Sequence, residues 1–222
     1  MNRRLIGTIL AVAGCLLLAD VALTIVWREP VTWVLSSGDQ ADLAGRLERS
    51  TSEFGASLPE GADASGRIAA AADAFERQLE PGDPVGRLWM PSLGEKSVIV
   101  QGTKQADLRQ GPGHYLPTSL PGQGGTVGLA GHRTTYQQPF RSIDALKPND
   151  ELIVTMAYGR FTYRVEGTRI VKPGAVGVLT SARGRERLVL TACHPLYSAA
   201  KRIVVFARLA DAIPLGVARS AG

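Results

Sequence analysis

Hydrophobic positions change their spacing twice along the chain. From Leu5 to Trp27 they run almost unbroken, interrupted by Asp20 and a few small polar residues. A run of that length matches a hydrocarbon layer roughly 30 Å thick, so residues 5–27 are predicted to be a transmembrane anchor. From 28 to 83 the chain is rich in Ala, Ser, Glu and Gly, and apolar residues recur at helical spacing over 42–48 and 67–79. The alanines of 69–74 favour helix but offer little bulk to bury, so this span is predicted to be an extracellular stalk with helices. Glu80-Pro-Gly-Asp-Pro84 punctuates its end. Beyond it come short β-type runs cut by Gly and Pro, at 86–90, 97–101, 126–130, 152–156, 161–170, 188–191 and 203–209. Short helical turns are predicted near 105–108 and 140–146. Close-spaced strands without alternating long helices predict an all-β domain over 84–212, a closed antiparallel barrel or a sandwich, with a tail from 213 to 222.

Arg3 and Arg4 precede the anchor, so residues 1–4 are expected in the cytoplasm and everything after Trp27 outside. Residues 12–15 (Val-Ala-Gly-Cys) resemble a lipoprotein cleavage box, and 11–13 (Ala-Val-Ala) have signal-peptidase spacing. Cleavage at either would leave 16–18 and 21–26 as an exposed apolar start, so an uncleaved anchor is expected. Asp20 would cost roughly 2.5–3.5 kcal/mol at the bilayer centre, and its place near the outer end of the run softens that. The net charge of +5 is spread along the chain, and no stretch interleaves Lys and Arg with aromatics, which argues against nucleic acid.

Chemistry concentrates in the run 188–195 (Leu-Val-Leu-Thr-Ala-Cys-His-Pro). Of the two cysteines, Cys15 lies inside the anchor, which leaves Cys193 a lone thiol in an oxidising compartment, at a strand end where a loop opens. Free Cys is often buried and inert, but an exported thiol is a liability unless it is used. A thiol attacks a carbonyl, an imidazole moves the proton, and a fixed cation holds the oxyanion. Three histidines compete for the imidazole role. His194 follows Cys193 directly and points to the opposite face of an extended strand; His114 sits in a turn-rich loop; His132 closes a strand and opens a polar loop. Arg202 heads the apolar run 203–206, with Lys201 and Arg133 as rivals. No His, Cys or carboxylate cluster has metal-ligand spacing, so neither a metal nor another cofactor is expected. Asp144, Asp150 and Glu151 lie near turns and read as caps.

The segments 129–136 (Leu-Ala-Gly-His-Arg-Thr-Thr-Tyr), 190–195 and Arg202 together resemble the sortases, cysteine transpeptidases of Gram-positive surfaces. With 111–115 (Gly-Pro-Gly-His-Tyr) and the anchor, the pattern is most similar to the class E housekeeping type of actinobacteria, and the resemblance covers 86–209. It implies an eight-stranded sortase-type β-barrel with His132, Cys193 and Arg202 as the catalytic three. It further implies a Leu-Ala-x-Thr-Gly sorting signal on secreted proteins, cut between Thr and Gly, and a peptidoglycan precursor amine that takes over the thioester. Tyr115 resembles the tyrosine associated with Ala at the signal's second position, and Thr191 and Ala192 are expected beside the substrate. Two positions depart from the pattern. Ala192 stands where a threonine usually precedes the nucleophile, and Gln137 where Gly commonly follows the tyrosine.

Rival chemistries share parts of this arrangement. A thiol endopeptidase would resolve the same thioester with water, and a pilin-polymerising sortase would differ only in its acceptor. Papain-type enzymes place Cys well before His, and L,D-transpeptidases place a His-Gly pair before the nucleophile; neither order occurs here.

Overall fold

A computed structural model describes residues 3–26, 30–55, 63–180 and 185–215. The start of the expected cytoplasmic segment, the end of the anchor at 27 and most of the expected tail lie outside them. Helix α1 (Arg3–Val26) contains the apolar stretch 4–22, long enough to cross a bilayer. Helices α2 (Pro30–Gly55) and α3 (Ala64–Glu76) follow. Eight strands close into a barrel in the order β1-β2-β3-β4-β7-β8-β6-β5. They are β1 (Pro84–Met90), β2 (Glu95–Gln101), β3 (Gly113–His114), β4 (Thr126–Ala130), β5 (Glu151–Met156), β6 (Gly159–Val171), β7 (Arg187–His194) and β8 (Lys201–Pro214). A short helix, α4 (Gln105–Gln110), links β2 to β3.

Alternation fills the barrel. Leu88 and Met90 of β1, Val127 and Leu129 of β4, Leu188, Leu190 and Ala192 of β7, and Ile203, Val205 and Ala207 of β8 share one core. The expectation of an antiparallel barrel is corrected at two places, because β2 pairs with β3 and β4 with β7 in parallel. Crossovers through α4 and through the 3-10 turn Val176–Leu179 make this possible. β3 escaped the sequence reading: two residues cannot show alternation, and their Gly-Pro-Gly setting reads as a turn.

The predicted stalk needs a second correction. α2 and α3 lie against the barrel, where Phe54, Ile68, Ala71, Ala72 and Phe75 join its core and Leu43 and Leu47 pack with Val98. The alanines, which looked too small to bury anything, let α3 approach closely. Phe54, Phe75 and Tyr158 meet edge-to-face with ring centroids 5.2, 6.3 and 5.8 Å apart, each pair adding about 0.5–1.5 kcal/mol beyond its area. Gln40 of α2 completes the barrel wall. Its Oε1 accepts from Val98 N–H at 2.8 Å and its Nε2 donates to the carbonyls of Val98 at 3.1 Å and Gln110 at 2.6 Å. The side-chain amide thereby serves backbone groups that the short β3 does not reach. At the other end, β8 runs to Pro214 in register with β6, two residues past the expected domain boundary at 212.

Candidate active site

Cys193 lies on the central strand of three. On β7, Leu188, Leu190 and Ala192 point inward, so Thr191 and Cys193 face outward. On one side, antiparallel β8 sets Arg202 directly opposite Cys193, a spacing of about 4.5–5.5 Å between Cβ atoms. On the other, parallel β4 sets Ala130 beside Thr191, and Gly131 N–H donates to Thr191 O at 3.0 Å. His132 is two residues beyond Ala130 and Cys193 two beyond Thr191, so the chain delivers both to the same pole. Thiol and guanidinium therefore come from adjacent strands, and the imidazole from the loop that opens just after β4.

Arg202 Nη1 donates to the carbonyls of Ala199 and Lys201, both at 3.0 Å, which anchors the guanidinium at the mouth of the β7–β8 loop. Three of its five N–H groups remain for an anionic oxygen. His132 is half-buried and stacks against Tyr136 with centroids 5.2 Å apart. Its Nε2 is buried and has no hydrogen-bond partner among the described residues. Burial, and then the positive charge of Arg109, lower its pKa and favour a neutral ring ready to take a proton.

The other histidines are occupied elsewhere. His114 Nδ1 meets Gln101 Oε1 at 2.8 Å, and its Nε2 meets Ser119 O and Thr118 Oγ1, each at 3.1 Å. His194 Nδ1 lies 3.4 Å from Arg133 Nη1, on the face opposite the thiol. Arg133 is committed too: it is 2% exposed, pairs with Asp144 at 2.7 Å and donates to Arg141 O at 2.8 and 3.1 Å. Asp144 is thus an ion-pair partner and not merely a cap, whereas Asp150 Oδ2 does accept from Lys147 N–H at 2.9 Å. Glu151 pairs with Arg164 at 2.9 Å.

Beside Cys193 a hollow of about 340 Å³ is lined by Arg133, Thr134, Pro195, Tyr197, Ser198 and Ala199. On the neighbouring strand, Tyr115 and Leu179 converge on Gly128 of β4. The Tyr115 hydroxyl lies 2.9 Å from Thr191 Oγ1, and a Cβ on Gly128 would come within 3.0 Å of both Tyr115 and Leu179. Glycine at 128 therefore lets ring and leucine settle on the outer face of β4. Leu116 and Val176 stand exposed along this edge, at 50% and 76%. The Ala192 methyl, 4% exposed, points into the barrel, so strand parity turns position 192 to the face opposite Thr191 and Cys193 and away from the place where contact was expected. Gln137 takes a glycine-like conformation, φ 61°, between Tyr136 at 50° and Gln138 at 55°. The sequence reading missed Arg109 as a neighbour of His132, since nothing in a helical turn at 105–110 signals what lies across the loop from it.

A closed barrel presenting thiol and guanidinium from paired strands, with an imidazole on the loop after the next strand, is a frame suited to thiol-based acyl transfer. A family model for the sortase domain matches residues 88–210, and the chain belongs to the sortase family. It is 34% identical over 132 residues to sortase D of Bacillus subtilis, covering 58% of this chain and 65% of that protein. It is 31% identical over 151 residues to sortase SrtE1 of Streptomyces coelicolor, covering 61% of this chain and 43% of that one. The chain thus spans less than two thirds of either relative. Sortase E from Streptomyces avermitilis superposes with a TM-score of 0.58 at 30% identity, covering 64% of this chain and 97% of that structure.

Proposed function

We propose that this protein is a membrane-anchored cysteine transpeptidase of the class E type. It cleaves a Leu-Ala-x-Thr-Gly-like signal between Thr and Gly and passes the acyl group to a peptidoglycan precursor amine. The observation that carries the reading is Cys193 facing Arg202 across β7 and β8, with His132 two residues past the end of β4, the strand on the other side of β7. α1 holds the chain in the membrane, its basic start in the cytoplasm and the barrel outside.

The signal lies along the groove beside Tyr115 and Leu179, with its threonine carbonyl over the thiol. His132 accepts the thiol proton, and the Cys193 sulfur attacks that carbonyl. A tetrahedral oxyanion forms between the free N–H groups of Arg202. It collapses with loss of the glycine amine, which takes its proton from His132, and the chain is left as a thioester. The acceptor amine then attacks, gives a proton to His132, and regenerates the thiolate as the new amide forms. Donors preset for the oxyanion are typically worth about 10²–10³ in rate.

The test is the full chain in detergent micelles, given labelled Leu-Ala-x-Thr-Gly peptide and candidate amines, with products identified by mass. Transfer product in wild type and none in Cys193→Ala is expected. A Cys193→Ala variant that still forms a thioester would overturn the assignment, and hydrolysis alone with every amine would favour a thiol endopeptidase.

A further inference from the structure

Arg109 is the cation whose charge bears on His132. Arg109 rises from the last turn of α4, and its guanidinium carbon sits 5.5 Å from the centre of the Tyr136 ring. That ring in turn lies 5.2 Å from the imidazole. The base of this stack is fixed. Asp107 Oδ2 accepts from Lys104 N–H at 2.9 Å at the start of α4, and Gln40 holds the Gln110 carbonyl at its end. Gly111 leaves no play there, because a Cβ would come within 2.4 Å of Gln40 Nε2. Arg109 itself is exposed and takes no part in the core.

The loop that Arg109 covers is costly to hold. Tyr136, Gln137 and Gln138 are three successive non-glycine residues in the left-handed region, an arrangement that persists only where its surroundings enforce it. Several contacts do so: Gln138 N–H donates to Thr135 O at 3.0 Å, Arg141 Nη1 to Gln138 Oε1 at 2.9 Å, and Phe140 N–H to His132 O at 3.0 Å. The Arg109–Tyr136 stack presses on the same loop from the solvent side.

We propose that Arg109 is a positioning residue for His132, acting through the Tyr136 ring to hold the imidazole at the mouth of the cleft. A cation over an aromatic face is attracted by the ring quadrupole, and a ring so held limits the directions open to the imidazole beside it. Charge acts in the same sense. Among the described residues, the ionisable groups on this side of the barrel include Arg109 from α4, Tyr136 and Arg141 from the loop, Cys193 and His194 from β7, Tyr197 from the β7–β8 loop and Arg202 from β8. Arg133 is already neutralised by Asp144. Arg109 is the cation whose charge adds to burial in lowering the His132 pKa. Removing it should raise that pKa, since the protonated ring loses a repelling neighbour.

The proposal rests on the transpeptidase reading for its kinetic arm but not for its titration arm. Full-length protein in detergent micelles, labelled at histidine, gives the His132 titration by NMR, with His132→Gln identifying its signal. In Arg109→Met the midpoint should move upward. The turnover number in peptide transfer should fall about tenfold with KM within twofold, a small part of the ~10²–10⁴ available from a placed acid–base group. Arg109→Lys keeps the charge but loses the planar stack, so it should restore the midpoint and not the turnover. A wild-type midpoint in Arg109→Met, or wild-type turnover in both variants, overturns the proposal. Should the wild-type chain transfer nothing at all, the transpeptidase reading fails, and the titration alone then decides the role of Arg109.

Discussion

The hydroxyl of Tyr115 rests 2.9 Å from that of Thr191, two residues before the thiol on the same face of β7. Tyr115 therefore lies against the outer face of β7, and one of its hydroxyl's hydrogen-bonding positions is already used. Thr191 Oγ1 also reaches Leu129 O at 3.4 Å, which ties the pair to β4.

Removing either hydroxyl should cost about 1 kcal/mol of stability, the net scale of one hydrogen bond. Tyr115→Phe and Thr191→Val combined should cost less than the sum of the two, because they share the interaction. Denaturant melts of the single and double variants measure this. Tyr115 also carries the proposed choice of Ala at the signal's second position, so Tyr115→Phe should shrink the preference for Leu-Ala-x-Thr-Gly over Leu-Pro-x-Thr-Gly about fivefold. Equal losses on both peptides would assign Tyr115 to packing alone.

Ala192→Thr separates stability from catalysis. Read from the sequence, Ala192 lacks a hydroxyl that could support the oxyanion or the substrate, so restoring threonine should raise turnover or at least leave it unchanged. The barrel favours the second outcome, since the side chain at 192 joins the core with Leu190 and Ile203. Threonine there adds volume and a hydroxyl to a packed interior, at a cost of about 1–3 kcal/mol. A lower Tm with unchanged turnover per folded molecule is expected; a gain in turnover would mean position 192 reaches the cleft after all.

How much of this was legible depends on the range of the interaction. The strand at 126–130 was readable to the residue because Val127 and Leu129 alternate with Thr126, Gly128 and Ala130. Cys193 and Arg202 were readable as neighbours because each heads or ends an apolar run, and such runs pair. Parallel pairing of β4 with β7 was not, since nothing in either strand encodes direction. Nor was the docking of α2 and α3. Gln40 looks like any exposed helical polar residue until Val98 is placed beside it. Likewise, the resemblance singled out His132 and Arg202, whereas only the structure shows His114 hydrogen-bonded to Gln101 and Arg133 paired with Asp144.

Stability should fall on acidification, partly through two histidines. Burial lowers the pKa of both His114 and His132 from the ordinary value of 6.5. The unfolded chain then binds more protons than the folded one as pH drops below 6.5, so their stabilising contribution is complete above that value and is lost toward their lowered folded pKa values. Glu186 works in the opposite sense. Burial raises its pKa above 4.5, although it accepts from Tyr163 Oη at 2.6 Å, so its effect favours the folded state most at the acid end and declines as pH rises from 4.5. Between pH 7.5 and 5.5 the Tm should fall, and by less in His114→Gln than in wild type. An equal fall in both would remove His114 from the account.

Arg187 supports the most specific expectation about substrate binding. Its Nη2 donates to Val178 O at 3.1 Å and Thr180 O at 2.5 Å, and its Nε to Thr126 Oγ1 at 3.0 Å. Its guanidinium also stacks on Phe206 at 5.6 Å, with Arg169 on the same ring at 5.3 Å. The residues so held flank Leu179, which closes the groove over Gly128 beside Tyr115. Arg187 is therefore a clamp between the barrel wall and the connection that forms the groove's edge, remote from the thiol at the other end of β7. Lysine cannot reproduce a planar fork serving three acceptors and an aromatic face, so Arg187→Lys should loosen that edge about as much as Arg187→Gln. Loss of about 1.4 kcal/mol of peptide binding corresponds to a tenfold rise in KM. The rate of Cys193 alkylation by iodoacetamide should stay at the wild-type value, because the catalytic pole is untouched. An unchanged KM would mean that Leu179 holds the edge by packing alone, and a changed alkylation rate would place the effect of Arg187 at the thiol instead of the groove.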